Sequence, residues 1–211
     1  MPNKVIRRDL TKTTRQCDFC PRYLTSLKAY VLENSETGEL SYAGSTCAKN
    51  NAGEDALSGI PDLTKFTMAT GDREDGRTGG QGGTAIDNPE KRAIEYLILR
   101  ESKLVDELNC SYKVLKEYYE KQKTQELSES DVSHINNIAS KAPENLTPSA
   151  LQRIYNYLFW LDVGIEKLPS NKTEFLVSVR KTITSKGKIT DKQKAAINNW
   201  LENIDGVPQL K

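Results

Sequence analysis

Apolar and polar residues alternate on both sides of a short turn early in the chain. Leu27, Ala29 and Val31 lead out, Leu40 and Tyr42 lead back, and Glu36-Thr37-Gly38 lies between them. A period of two around such a tripeptide predicts a β-hairpin. Upstream, residues 1–16 are polar and basic, with Thr11, Thr13 and Thr14 interleaved and no sustained period. A short strand or a mobile arm is expected there. Downstream, residues 48–68 read as irregular, punctuated by Gly53, Gly59 and Pro61, with one helical turn at Glu54 to Leu57.

From Asn88 the period changes to that of a helix. Asn88-Pro89-Glu90 supplies a capping side chain and a proline at the first helical position. Ile94, Leu97, Ile98, Glu101, Leu104, Val105, Leu108, Tyr112, Leu115 and Tyr119 then recur at steps that suit one helical face. One long helix, or two broken near Ser102, is predicted to run to about Gln122. Beyond it a template repeats: an apolar residue, a hydroxyl, six residues, then Ile, any residue and Asn. It occurs at Leu127-Ser128 with Ile135, at Leu146-Thr147 with Ile154, and at Ile189-Thr190 with Ile197. Each copy is a helix entrance, with the hydroxyl as cap and the Ile about two turns in on the buried face. Thr190-Asp191-Lys192-Gln193 forms a capping box as well. The recurrence fits an internal duplication and fits the plain similarity of good caps equally well. A further helix is expected from about Asn171–Glu174 to Gly187, a residue suited to a left-handed cap.

Between the two regions, Thr70 to Gly83 is polar and rich in glycine, with no apolar side chain to anchor it. A phosphate-binding loop would need a buried strand before it and a Gly-Lys-Ser/Thr ending, and neither is present. A linker or loop is the expectation.

Composition narrows the class. No run approaches the roughly 20 apolar residues of a membrane span, and Met1-Pro2-Asn3-Lys4 leads into charge. A soluble, cytoplasmic protein is expected, with no membrane partner. The formal net charge is +1, so the overall balance names no anionic partner, but the distribution is uneven. Arg7, Arg8, Lys12, Arg15 and Arg22 lie near the start, and Lys186, Lys188, Lys192 and Lys194 near the end. Glu33, Glu36, Glu39, Glu54, Asp55 and Asp62 make the intervening stretch acidic. Two basic segments bracketing the chain predict a nucleic-acid surface.

The cysteines carry the most specific chemistry. Cys17-Asp18-Phe19-Cys20 lets two thiolates converge on one ion, and Cys47 returns after the hairpin. Three thiolates in a reducing compartment point to structural Zn²⁺ rather than to disulfides. The fourth ligand is missing locally. Cys110 and His134 are the distant candidates, and a carboxylate such as Asp18 or a water the near ones. Cys110 also reads as a buried thiol on the apolar stripe with Val114 and Leu115. The predicted architecture is therefore α+β: a small zinc-ribbon-like β module over 1–68, a Gly-rich linker or loop over 69–87, and a helical domain over 88–211.

Cys17-Asp18-Phe19-Cys20, Tyr30-Val31-Leu32-Glu33 with Glu36-Thr37-Gly38, and Ala43-Gly44-Ser45-Thr46-Cys47-Ala48-Lys49 together resemble small zinc-ribbon-like modules of phage and mobile-element proteins. Lys188-Ile189-Thr190-Asp191-Lys192-Gln193 resembles a helix start found in the same company. The resemblance implies a phage-type origin, the host-cell cytoplasm as location, and contact with nucleic acid or a host protein complex. Ala29-Tyr30-Val31 and Tyr42-Ala43-Gly44 also have the spacing of the paired strand motifs of GIY-YIG nucleases. That family's chemistry needs an Arg on a following helix, and Cys47 to Lys65 contains none.

Other catalytic frames fail. There is one His, no HExxH, no GxSxG, and no recognisable carboxylate pair. Tyr155, Tyr157, Phe159 and Trp160 could stack on bases, but Ile154, Tyr157, Leu158, Leu161 and Ile165 follow helical spacing, which predicts core packing. The expected function is non-enzymatic binding of nucleic acid through the basic ends. The alternatives are modulation of a host defence or transcription complex and, with less support, a GIY-YIG-like nuclease.

Overall fold

The computed structural model describes residues 3–65, 88–170, 173–204, 207 and 209–210, and the Gly-rich segment predicted over 69–87 lies outside them. The fold is α+β, with antiparallel strands followed by helices. The hairpin forms where alternation placed it: β4 is Lys28–Asn34, β5 is Leu40–Ala43, and they pair antiparallel. Asn34 shapes the turn, its Oδ1 accepting from the amides of Glu36 at 2.9 Å and Thr37 at 3.2 Å. Of the two expectations for the first residues, the strand is correct: β1, Asn3–Leu10, pairs along the other edge of β4 with an irregularity between Val5 and Arg7. The sheet order is β1-β4-β5, which leaves Val31 and Leu32 of the middle strand fully buried. Two very short strands, β2 (Arg15–Gln16) and β3 (Tyr23–Leu24), pair separately and carry the CxxC turn between them.

The irregular reading of 48–68 needs correction at its start. Ser45–Ala52 is an α-helix, α1, and a 3₁₀ turn at Glu54–Leu57 follows it. Alternation and periodicity could not announce α1, because among its residues only Ala48 is buried.

The helical region begins with α2, Pro89–Ile98, capped by the Asn88 side chain, which accepts from the Lys91 amide. The predicted break near Ser102 is a π-helical segment at Leu99–Lys103, in which the Leu104 amide bonds back to the Leu99 carbonyl. A second break went unpredicted. The short α3, Val105–Leu108, ends at Asn109 in the left-handed conformation (φ 47°), and the chain restarts as α4, Lys113–Lys121. Cys110 therefore sits in a connection, not on a helical stripe.

All three hydroxyl caps form. Ser128 opens α5 (Glu129–Ser140), Thr147 opens α6 (Pro148–Lys167) and Thr190 opens α8 (Asp191–Leu201), each accepting a backbone N–H. Ile135, Ile154 and Ile197 are buried, so the apolar part of the template is a shared packing solution. Its asparagines are not equivalent: Asn156 is fully buried and Asn137 and Asn199 are exposed. Helix α7, Glu174–Lys186, closes on Gly187 at φ 68°. In α6, a Cβ on Gly164 would lie 2.8 Å from Leu201 and 3.2 Å from Leu176, so the missing side chain lets α7 and α8 approach.

Two apolar clusters result. The small one buries Val5, Cys17, Leu32, Ala43 and Ala48. The large one spans α2 to α8, around Tyr96, Leu97, Trp160 and Leu161, and draws in Leu10, Leu27 and Leu63 from the N-terminal part. Polar bonds join the same surfaces: Asn156 Nδ2 donates to the Leu63 carbonyl at 2.8 Å, and Glu95 Oε1 accepts from the Asp62 amide at 2.9 Å. No described helix is long and apolar enough to cross a membrane.

Candidate metal centre and basic cleft

Cys17 follows β2, Cys20 ends the same turn, and Cys47 stands in the first turn of α1. The hairpin therefore delivers the third thiol through a helix rather than on a returning strand. The three Sγ atoms lie within 4.8 Å of one another, and none of the four cysteines is in a disulfide. Sulfurs at two corners of a tetrahedral Zn²⁺ shell stand about 3.8 Å apart, given Zn–S bonds of about 2.3 Å. The donor set fits a thiophilic ion with little adjustment.

Protons are already unequally held in this cluster. The Arg22 backbone N–H, and then the Cys47 thiol, hold Cys20 below its ordinary value. Cys47 is pushed up to about 12, first by burial and then by its bonds to Cys20 and Cys17. Cys20 therefore gives up its proton more easily than Cys47 does. A divalent cation held by these sulfurs would displace their remaining protons, so its uptake would release protons.

Asp18 is not a ligand but a clamp. Its amide donates to the Tyr42 carbonyl at 3.0 Å, its Oδ2 accepts from the Tyr42 amide at 2.6 Å, and Arg15 Nη2 donates to the same carboxylate. The Arg15 guanidinium lies over the Tyr42 ring, 3.8 Å from its centroid. The CxxC turn is thereby tied to β5, the strand that leads directly into Cys47.

Neither distant candidate joins the thiols. Cys110 is buried, 3.7 Å from the Arg100 carbonyl to which its Sγ donates, and burial pushes its thiol up. His134 Nδ1 pairs with the Tyr118 hydroxyl at 2.8 Å. Among the described residues, only Cys17, Cys20 and Cys47 come together as a group that could hold a metal ion.

The basic residues divide into two kinds. Arg7 pairs with Asp9 at 2.9 Å, Arg8 reaches Asp62 at 3.9 Å and lies over the Tyr30 ring, and Arg15 is held by Asp18. Lys12 and Arg22 are exposed. At the other end, Lys186 and Lys188 flank Gly187 at the rim of a cleft of about 370 Å³, which Thr147, Ser149 and Arg153 also line at the start of α6. Lys188 meets Glu144 at 3.4 Å with both side chains largely exposed, a geometry of small energetic weight. Lys192 is exposed, and Lys194 lies 3.6 Å from Asp191. The aromatic group is core: Trp160 and Tyr157 are buried, and the Tyr155 hydroxyl is spent on Asp9.

Sequence reasoning missed a third constellation. The π segment turns both Arg100 and Glu101 inward, each 8 % exposed. Arg100 Nη1 donates to Tyr96 Oη at 2.7 Å and Nε to the Cys110 carbonyl at 3.3 Å. Burial raises the Glu101 carboxyl, whose Oε1 accepts from the Tyr112 amide while Oε2 is buried without a partner. The one available signal was the charged pair itself, set within an apolar helical run. Comparison of the chain with protein-family models, with curated proteins and with solved structures finds no match in any of the three.

Proposed function

We propose that Cys17, Cys20 and Cys47 hold a structural Zn²⁺ and that the protein works by binding nucleic acid, with the cleft at Lys186 and Lys188 as its phosphate contact. The zinc reading rests on the convergence of three thiols in a part of the molecule whose own core is five buried residues, two of them alanine. Such a core is too small to hold its strands unaided. The fourth corner of the shell falls to a donor other than Cys110 or His134.

The observation that carries the binding reading is the meeting of Lys186 and Lys188 with the N-terminus of the 20-residue helix α6 and Arg153 around one cleft. Lysine charge and the amide end of a long helix both favour phosphate oxygens. The N-terminal arginines contribute less, since Arg7, Arg8 and Arg15 already face carboxylates. Lys12 and Arg22, with Lys192 and Lys194, supply secondary contacts.

Fluorescence anisotropy with labelled single-stranded and duplex oligonucleotides across a salt series tests this. Affinity should fall steeply with salt, and a Lys186→Ala/Lys188→Ala variant should flatten the log–log slope for duplex by about 2. No binding at low salt, or an unchanged slope in the variant, would sink the proposal.

A further inference from the structure

The π segment and the end of α5 border a second, open cavity of about 320 Å³. Arg100, Tyr112, Asn137, Ile138, Lys141 and Pro143 line it. That volume is at the lower bound of small-molecule sites, and π-helical turns are often found at functional positions. The side chains sort by chemistry. Ile138, Pro143 and the Tyr112 ring make apolar walls, Asn137 adds an amide, and the exposed Lys141 stands at the rim.

Arg100 is the unusual member. A guanidinium keeps its charge when buried and is costly there unless its donors are used. Its Cζ lies 5.8 Å from the ring centroids of both Tyr96 and Tyr112. Nε and Nη1 are engaged by the Cys110 carbonyl and Tyr96. Among the described residues no acceptor meets Nη2. The nearest carboxylate, Glu101, lies 3.6 Å from Nε, on an edge of the fork already in use.

We propose that this cavity binds a small organic carboxylate with an apolar body, its oxygens on Arg100 and its body against Tyr112, Ile138 and Pro143. A guanidinium edge matches the two oxygens of a carboxylate. Lys141 adds a weaker, solvent-exposed attraction from the rim. Phosphate suits the site poorly: Glu101 opposes a second negative charge, and the apolar walls offer its remaining oxygens little beyond Asn137. This site is separate from the cleft at Lys186 and does not depend on nucleic-acid binding.

The test is a titration of the full chain with benzoate, benzamide and inorganic phosphate in turn, followed by ¹H–¹⁵N NMR at Arg100 Nε–Hε, the Tyr112 amide and the Asn137 side chain. Benzoate should give saturable shifts at all three positions. Benzamide, of the same shape without the charge, should bind at least about tenfold more weakly, and phosphate should not saturate. Arg100→Gln should abolish the benzoate response. Because Arg100 is buried, a second variant at the exposed rim, Lys141→Gln, guards against mere unfolding; it should weaken benzoate about threefold with an unchanged melting temperature. Absence of benzoate shifts at these positions, equal binding of benzamide, saturation by phosphate, or unaltered affinity in Lys141→Gln would each overturn the proposal.

Discussion

The Tyr155 hydroxyl of α6 donates to Asp9 Oδ1 of β1 at 2.7 Å, across a separation of 146 residues. Asp9 is 2 % exposed, and its other bonds come from Lys103 at 2.7 Å, Arg7 at 2.9 Å and the Leu10 amide at 2.9 Å. One carboxylate thus gathers the first strand, the π segment and the longest helix. Burial alone would push its pKa up, but Lys103 and then Arg7 outweigh that and hold it below the ordinary value.

Tyr155→Phe should therefore destabilise the protein by about 1–3 kcal/mol, the range for removing a bond to a buried charged acceptor. Asp9→Asn leaves two cations short of a partner and should cost about 3 kcal/mol or more. Urea denaturation of both single variants and the double variant measures the coupling, expected to be about 1 kcal/mol. Strict additivity would show that the contact carries no energy. The sign of the pH effect follows from the lowered Asp9 value: its contribution is fully present above about pH 4 and is lost as pH falls through the folded-state value. Asp131, held down to about 2 by the Lys121 ammonium and then by Ser128, acts in the same direction. Stability should therefore fall on acidification from pH 4 towards pH 2, and Asp9→Asn should flatten that fall.

The metal proposal makes an equally specific demand. Purified protein should contain about one zinc per chain, and Cys20→Ser should contain none. A loss of about 2 kcal/mol on chelation would lower the melting temperature by roughly 4–8 °C. Asp18→Ala is the sharper probe, because it keeps all three thiols and removes only the clamp to Tyr42. Zinc affinity, read by competition with a chromogenic chelator, should drop about 10–100-fold. Unchanged affinity would show that the clamp does not orient the site.

Gly187 and Thr190 separate two kinds of helix boundary. A side chain on Gly187 would be strained at φ 68° and would place its Cβ 2.6 Å from Asn145 Cβ. Gly187→Ala should cost about 2 kcal/mol and distort the cleft between Lys186 and Lys188. Thr190→Ala removes one side of a capping box with Gln193 and should cost about 1 kcal/mol with the cleft unaltered. Thermal unfolding of both variants checks the order, and a smaller effect at Gly187 would contradict it.

Local chemistry explains what was legible beforehand. Asn88, Ser128, Thr147 and Thr190 cap helices because each needs only the amides three residues ahead. The hairpin declared itself through the alternation of Leu27, Ala29 and Val31, although Leu40 on the return strand is exposed and Leu32 and Ala43 are buried on the opposite face, and Cys17, Cys20 and Cys47 through spacing. Helix α1 was hidden because its packing needs just one buried alanine. The break at Asn109 was hidden because the apolar residues on either side keep a helical period straight through it.

The sequence by itself determined the α+β class, the capped helix starts at Asn88, Ser128, Thr147 and Thr190 and the three-thiol set, all governed by contacts within a few residues or by a residue type with one dominant chemistry. Tertiary structure alone decided that Asp18 clamps instead of ligating, that Arg7, Arg8 and Arg15 are paired with acids, and that Arg100 turns inward beside Glu101. Each of these depends on which distant group fills the space opposite, and desolvation then sets whether a charge is buried in a pair or left to meet a ligand.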